Sequence, residues 1–302
     1  MKRIYIVLTL ACAVSASLLS SCSREEILDP ESVIVADSKE QNDFDKWLEA
    51  NYVDPYNIRV KYRYEMNESD YNYYTIPPSL EYSIMMAHLV KYMCIDTYDE
   101  VAGVAFTRQY FPKMFFYTGE WEYKNNGTFI LGTAEGGRKI FLAGLNYLPR
   151  YINSASSLNH YYLKTIHHEF THILNQTKPF TNEYRQITPT SYVAGDWSTT
   201  EYSSGYLGRG FISAYSQDSD REDFAEMLSL YVTNSEETWA EWMATAKSEG
   251  GGDALIDAKL DIVRSYMQNN FDIDIDQLRD VVLRRQDEVV AGRVDLTSLD
   301  IK

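Results

Sequence analysis

Two histidines four residues apart with a glutamate between them, His168-Glu169-Phe170-Thr171-His172, carry the strongest chemical signal in this 302-residue chain. On a helix, residues i and i+4 project from one face, a turn apart. Imidazoles so placed can both reach one Zn²⁺ at about 2.0–2.1 Å. Glu169 sits one step round, where its carboxylate can take the proton of a water held at the metal. The competing reading is a pair of core-edge histidines. A third ligand separates the two, because catalytic zinc takes three protein groups and keeps one position for water.

That third ligand is not another histidine. The chain has five, His88, His160, His167, His168 and His172, and none follows His172. Metzincins place a third His six residues beyond the second, with a Gly before it; Lys178 and Asn175 occupy those positions here. A downstream carboxylate must serve, as in gluzincins. Arg221-Glu222-Asp223-Phe224-Ala225-Glu226-Met227 offers one. Glu222 and Glu226 share a helical face, while Phe224, Met227, Leu228 and Tyr231 form an apolar stripe. Like charges at that spacing cost a few tenths of a kcal/mol, and a nearby cation reverses the sign. Glu222 is therefore the expected third ligand, and Glu226 the acceptor for the outer nitrogen of His168. Taken alone, the pair could be a solvated acidic face. His167 points about 100° away from the motif face and is expected to be structural; His88 and His160 have no metal spacing. Asp272 to Asp276 fails as a calcium loop, with Gln277 at its sixth position and Leu283 at its twelfth.

These residues need two helices held together. Ser157 or Asn159 is the expected cap of a helix to about Gln176, with Ile166, Phe170, Ile173 and Leu174 toward the core. The second ligand-bearing helix spans about Arg221–Thr233. Further helices are expected at Leu80–Ile95 after Pro77-Pro78-Ser79, near Glu100–Gln109, and at Glu236–Lys247, Asp253–Asn269 and Ile275–Val290. The Gly250-Gly251-Gly252 run reads as a hinge. Period-two alternation makes Tyr56–Glu65 a half-buried strand. Lys113–Tyr117, Thr128–Thr133 and Lys139–Leu145 read as strands, the last two joined at Gly136-Gly137. Residues 178–210 look irregular. With no strand–helix alternation, the class is α+β, sheet first and helices after.

Composition narrows the function. Net charge is −16, so nucleic acid is excluded as a partner by repulsion. Twenty-five Tyr and five Trp supply packing groups for the core and for a groove rim. Lys2 and Arg3 precede an apolar run, Ile4 to Leu19, shorter than the about 20 residues that span a bilayer. It ends Leu19-Ser20-Ser21-Cys22, the form of a bacterial lipobox. Residues 1–21 are thus expected to be a signal peptide, Cys22 the lipidated residue, and residues 22–42 a tether. The remainder, 43–302, forms the main domain, with a sheet-and-helix part at about 43–177 and a helical part at about 211–302. Cys12 leaves with the signal, so Cys94 stands alone and no internal disulfide is available. Ser23-Arg24-Glu25-Glu26 resembles the surface-export signal of Bacteroidota lipoproteins.

The HExxH helix followed by Glu-x-Phe-Ala-Glu resembles the catalytic domain of anthrax lethal factor and its relatives. That likeness implies a zincin-like fold. It also implies that Tyr215, seven residues before Glu222, points at the zinc-bound water and donates to the developing oxyanion. A wider resemblance takes in Ile166 to Gln176, Lys178-Pro179-Phe180, Trp197, Gly210-Phe211 and the 221–228 helix. It is to the zinc-binding metallopeptidase lipoproteins of Bacteroidota, found beside nutrient-import systems with a TonB-dependent porin. It implies a peptidase holding one Zn²⁺, acting on a peptide or protein and lipid-anchored at the outer membrane, at the cell surface. The expected site is His168, His172 and Glu222 on zinc, with Glu169 and Tyr215 catalytic and Glu226 behind His168. Substrate is expected to lie antiparallel along an edge strand, Lys139–Leu145. Rival readings are a non-catalytic lipoprotein that binds peptide or glycan for an import complex, and a zinc hydrolase of a non-peptide amide.

Overall fold

The computed structural model describes residues 40–301, apart from residues 70–71, 124–128, 131 and 136–137. Cys22, the signal segment, most of the tether and the Gly136-Gly137 turn lie outside the described residues. The first described helix, α1 (Asp43–Leu48), starts at a reciprocal cap. Asn42 accepts from the Asp45 amide, and the Asp45 carboxylate accepts from the Asn42 amide. No described helix is long and apolar enough to cross a membrane.

One sheet has the strand order β1-β2-β6-β5, with β1 at Arg59–Lys61, β2 at Met114–Tyr117, β5 at Gly132–Glu135 and β6 at Lys139–Leu142. β1 and β2 are parallel, as are β2 and β6; β5 runs antiparallel to β6, with Gly132 opposite Leu142. A separate antiparallel pair joins β3 (Glu122–Tyr123) to β4 (Phe129–Ile130). The single strand expected at Thr128–Thr133 is thus split between the two sheets.

The expected Tyr56–Glu65 strand shrinks to three residues. Asn57 takes a left-handed conformation (φ 54°) just before it, and beyond Lys61 the chain turns to α1, where the Tyr62 hydroxyl donates to Asp45. The alternation survives as burial, with Ile58 and Tyr62 inside and Tyr64 outside. The expected absence of strand–helix alternation also fails. Between β1 and β2 run α2 (Leu80–Val90), α3 (Asp96–Ala102) and α4 (Val104–Tyr110), the crossover that a parallel pair requires. Ser79 caps α2 by accepting from the Tyr82 amide. Gly103, at φ 82°, ends α3, so the next helix begins at Val104 rather than near Glu100.

Lys139–Leu142 is not an edge. It pairs with β2 on one side and β5 on the other, so its backbone has no face left for a further strand. Within the described sheet the edge beside it is β5, which packs on the histidine-bearing helix α5 (Lys164–Thr177). Gly132 makes that approach possible. A Cβ there would lie 2.7 Å from Thr165 Cγ2 and 2.5 Å from the Phe141 carbonyl.

α5 is entered from a short helix, Ala155–Leu158, through a wider turn at Asn159–Leu163. Its cap is Ser154, which accepts from the Ser157 amide, rather than Ser157 or Asn159. Asn159 is committed elsewhere: buried, it donates to the Thr233 carbonyl and accepts from Gln286. After α6 (Asn182–Ile187), which interrupts the expected irregular stretch, come α7 (Asp220–Thr233), α8 (Glu236–Glu249), α9 (Asp253–Phe271) and α10 (Ile275–Val290). α5 and α7 pack antiparallel, since Asn159, Lys164 and His168 meet Thr233, Glu226 and Glu222 in turn. The Gly250–Gly252 run is a packed corner, not a loose hinge: a Cβ on Gly252 would lie 2.0 Å from the Leu207 carbonyl.

Candidate metal centre

α5 buries Ile166, Phe170, Ile173 and Leu174, as its periodicity requires, and leaves His168 and His172 facing α7. Ser219 caps α7 by accepting from the Glu222 amide. A Glu three residues after such a cap ordinarily reaches back to the cap amide. The Glu222 carboxylate turns instead to the imidazoles. Its Oε2 lies 2.9 Å from His168 Nε2 and 3.2 Å from His172 Nε2, and the two nitrogens are 3.1 Å apart. Among the described residues this is the trio of His, Cys, Asp or Glu side chains able to share a metal ion.

The donor set fits zinc. Ligand atoms about 2.0–2.1 Å from a tetrahedral ion stand about 3.4 Å from one another, so a few tenths of an ångström of opening would admit it. The contacts also demand a cation. His168 Nδ1 stands 2.8 Å from Glu226 Oε1, which places its proton on that side. A bare Nε2 lone pair then faces the Glu222 oxygen and the second imidazole. Three such electron pairs repel unless a proton or a metal lies between them.

The same conflict shapes the titration of the group. Burial opposes a charged His168 ring, but hydrogen bonding to Glu222 and Glu226 outweighs it and pushes His168 up to about 9. Burial would raise Glu222, yet His168 and His172 hold it well below the usual carboxylate range. Burial would likewise raise Glu226, but the Lys164 ammonium and His168 bring it down to about 2. Glu226 is fully enclosed and shared among three partners. Lys164 contacts Oε1, and Ser213 Oγ donates to Oε2 at 2.7 Å.

Tyr215 arrives from a short turn, Tyr215–Gln217. Its ring lies 5.9 Å from that of His168 and is braced edge-on by Trp197 at 5.0 Å. Burial, reinforced by the Glu222 carboxylate, drives its phenol pKa well up, so it stays a donor. Glu169 is half-buried, one step round α5 from His168. His167 lies on the other side, buried, with Nδ1 3.0 Å from the Tyr98 hydroxyl, and burial lowers its pKa to about 4. It is structural, as expected. Cys94 is buried and its thiol pKa is raised by burial. Asp274 caps α10 through the Asp276 and Gln277 amides, which accounts for the acidic run.

Besides Ser213, two groups were not legible in the sequence. Lys164 stands four residues before His168, a spacing that marks it as a neighbour on the same face. The second is the Lys259–Asp223 pair, 2.7 Å apart with both side chains 0% exposed. Lys259 also donates to the Gly210 carbonyl and sits over the Phe211 ring, while Tyr192 donates to Asp223. The pair fastens the segment that carries Trp197 and Tyr215 to the helix that carries Glu222. Its signal was a lysine inside the apolar stripe Ile256, Leu260, Val263.

Comparison with known proteins agrees with this geometry. A family model described as "putative zinc-binding metallo-peptidase" matches residues 37–276. The crystal structure of a protein given that same description, from Bacteroides caccae, superposes with a TM-score of 0.74 at 36% identity, covering 89% of this chain and 100% of that one. No curated protein matches the chain.

Proposed function

This chain belongs to the "putative zinc-binding metallo-peptidase" family, and from that premise we propose that it hydrolyses peptide bonds in a peptide or protein. The observation that carries the reading is the convergence of His168, His172 and Glu222 within about 3 Å, with Glu169 one step round the helix.

His168, His172 and Glu222 would hold the zinc. When bound, zinc lowers the pKa of water and polarises a carbonyl oxygen. The chain's own groups do the rest. The Glu169 carboxylate accepts the proton of the attacking water and passes it to the leaving amine nitrogen. The Tyr215 hydroxyl, kept protonated, donates to the oxygen on which negative charge grows. Glu226, held by Lys164 and Ser213, fixes the His168 ring with its proton on Nδ1. A peptide would lie antiparallel along β5, whose backbone edge passes α5 at Thr165. Glu169 favours catalysis over simple binding, because a structural metal site has no use for a general base.

Anchoring belongs to the same proposal. Leu19-Ser20-Ser21-Cys22 after an apolar run supports lipid attachment at Cys22. Outer-membrane location, surface exposure and a link to a TonB-dependent import complex rest on the likeness to Bacteroidota lipoproteins. The activity is tested by exposing peptide libraries to wild type and to Glu169→Gln and identifying products by mass spectrometry. Wild type should yield discrete cleavages that the variant lacks while keeping its zinc. Equal cleavage by both would overturn the mechanism.

A further inference from the structure

A cavity of about 570 Å³ opens beside the metal centre, and His172, Glu222 and Arg221 share its wall. Arg221 is the one lysine or arginine in that wall. It is exposed, and among the described residues its side chain makes no hydrogen bond, ion pair or ring contact. Several other arginines are engaged, Arg63 with Asp45, Arg264 with Asp276, Arg284 and Arg285 with Glu100; among the described residues Arg185 is unpaired like Arg221 but lies outside this wall. With 44 acidic residues against 28 basic ones, an internal partner would be easy to supply. Arg221 also stands in the first turn of α7, where the helix dipole disfavours a cation. The Asp220 and Glu222 carboxylates beside it favour its charge without pairing with it, and a guanidinium left without a partner next to His172 and Glu222 is free to take an anion in this cavity.

We propose that Arg221 receives a carboxylate of the substrate, so that the site prefers peptides carrying a carboxylate next to the bond to be cut. The proposal rests on the peptidase reading above. The planar fork of Arg matches a carboxylate with two parallel N–H donors, which no other side chain in the wall can offer. The carboxylate is either the α-carboxylate of a chain end or the side chain of Asp or Glu. Asp220 also lines the cavity and works against an anion, so its charge limits the affinity without abolishing it.

The test uses the zinc-loaded full chain and calorimetric titration at low salt. The probes are acetohydroxamate and a series of peptide hydroxamates. One peptide ends in a free carboxylate, one in a carboxamide, and one in a carboxamide with a Glu side chain next to the hydroxamate. At least one carboxylate-bearing peptide should bind about 10–100-fold more tightly than the plain carboxamide. Which of the two gains tells chain-end from side-chain recognition. Arg221→Gln should erase the gain, Arg221→Lys should keep part of it, and Asp220→Asn should enlarge it. Acetohydroxamate affinity should be unchanged in all three variants. If acetohydroxamate binds but neither carboxylate helps, or the gain survives in Arg221→Gln, the proposal is wrong and the peptidase reading stands. If the zinc protein binds none of the probes, both fall.

Discussion

Lys259→Met removes an ammonium from the interior while keeping an unbranched chain of similar length. Lys259 Nζ lies 2.7 Å from Asp223 Oδ2 with both side chains 0% exposed, donates to the Gly210 carbonyl at 2.8 Å, and sits 3.8 Å from the centre of the Phe211 ring. Truncating one member of a buried ion pair costs about 3–5 kcal/mol, because the other charge is stranded in a poor dielectric. The lost bond to Gly210 adds about 1 kcal/mol. The stranded group can escape by taking a proton. Burial already raises Asp223, to about 6 with its partner present. A carboxyl whose folded pKa is raised destabilises above that value and is relieved as pH falls through it. Urea unfolding should therefore show a loss of about 4–6 kcal/mol at pH 8 and clearly less at pH 5. The double variant Asp223→Asn/Lys259→Met should be more stable at pH 8 than Lys259→Met alone. Because the pair fastens the Tyr215 segment, turnover should fall in folded Lys259→Met while zinc content holds. A loss under about 1 kcal/mol at both pH values, or a double variant no better than the single, would refute the reasoning.

Other outcomes follow from the same contacts. Glu222 and Glu226 keep the His168 ring charged, and zinc must displace its Nε2 proton, the one that faces Glu222, so zinc affinity should rise about tenfold per pH unit from pH 7 and level off near 9, as measured by chelator competition. In the zinc-free protein, that His168 proton stabilises the fold fully below about 6.5, and the contribution disappears as pH rises through about 9. Glu226→Ala should weaken zinc binding about 10–100-fold, whereas Tyr215→Phe should keep zinc and lower turnover about 10²–10³-fold. Cys22→Ala should move the protein from the membrane to the soluble fraction of lysed cells; a variant that still pellets would remove the lipid anchor from the account.

The candidate metal trio and the buried glutamate behind it were legible as neighbours because helical spacing is rigid. Residues i and i+4 can only face one way, so His168 with His172, and Glu222 with Glu226, were placed before any fold was known. The four C-terminal helices were legible for a related reason: each has an apolar stripe, and three have a polar cap, Ser219, Ser235 or Asp274, while α9 follows Gly252. The sheet was not. β1 is three residues long and its parallel partner lies beyond three helices, so local alternation could suggest a strand but not its neighbour. The same gap misassigned the edge, since Lys139–Leu142 looks identical in sequence whether or not β5 covers it. Tyr215 had no periodic signal, and its place against His168 depends on a loop held by Lys259 and Asp223, residues far apart in the chain. Ser213 is invisible for that reason too.

Anomalous diffraction at the zinc edge, from crystals of the zinc-loaded chain, tests the central claim most directly. A single peak is expected within bonding distance of Nε2 of His168, Nε2 of His172 and a carboxylate oxygen of Glu222. Glu226 should remain beside His168 Nδ1 and off the metal. A peak bonded to Glu226 in place of Glu222, a peak elsewhere in the chain, or no peak from protein loaded with zinc would contradict it.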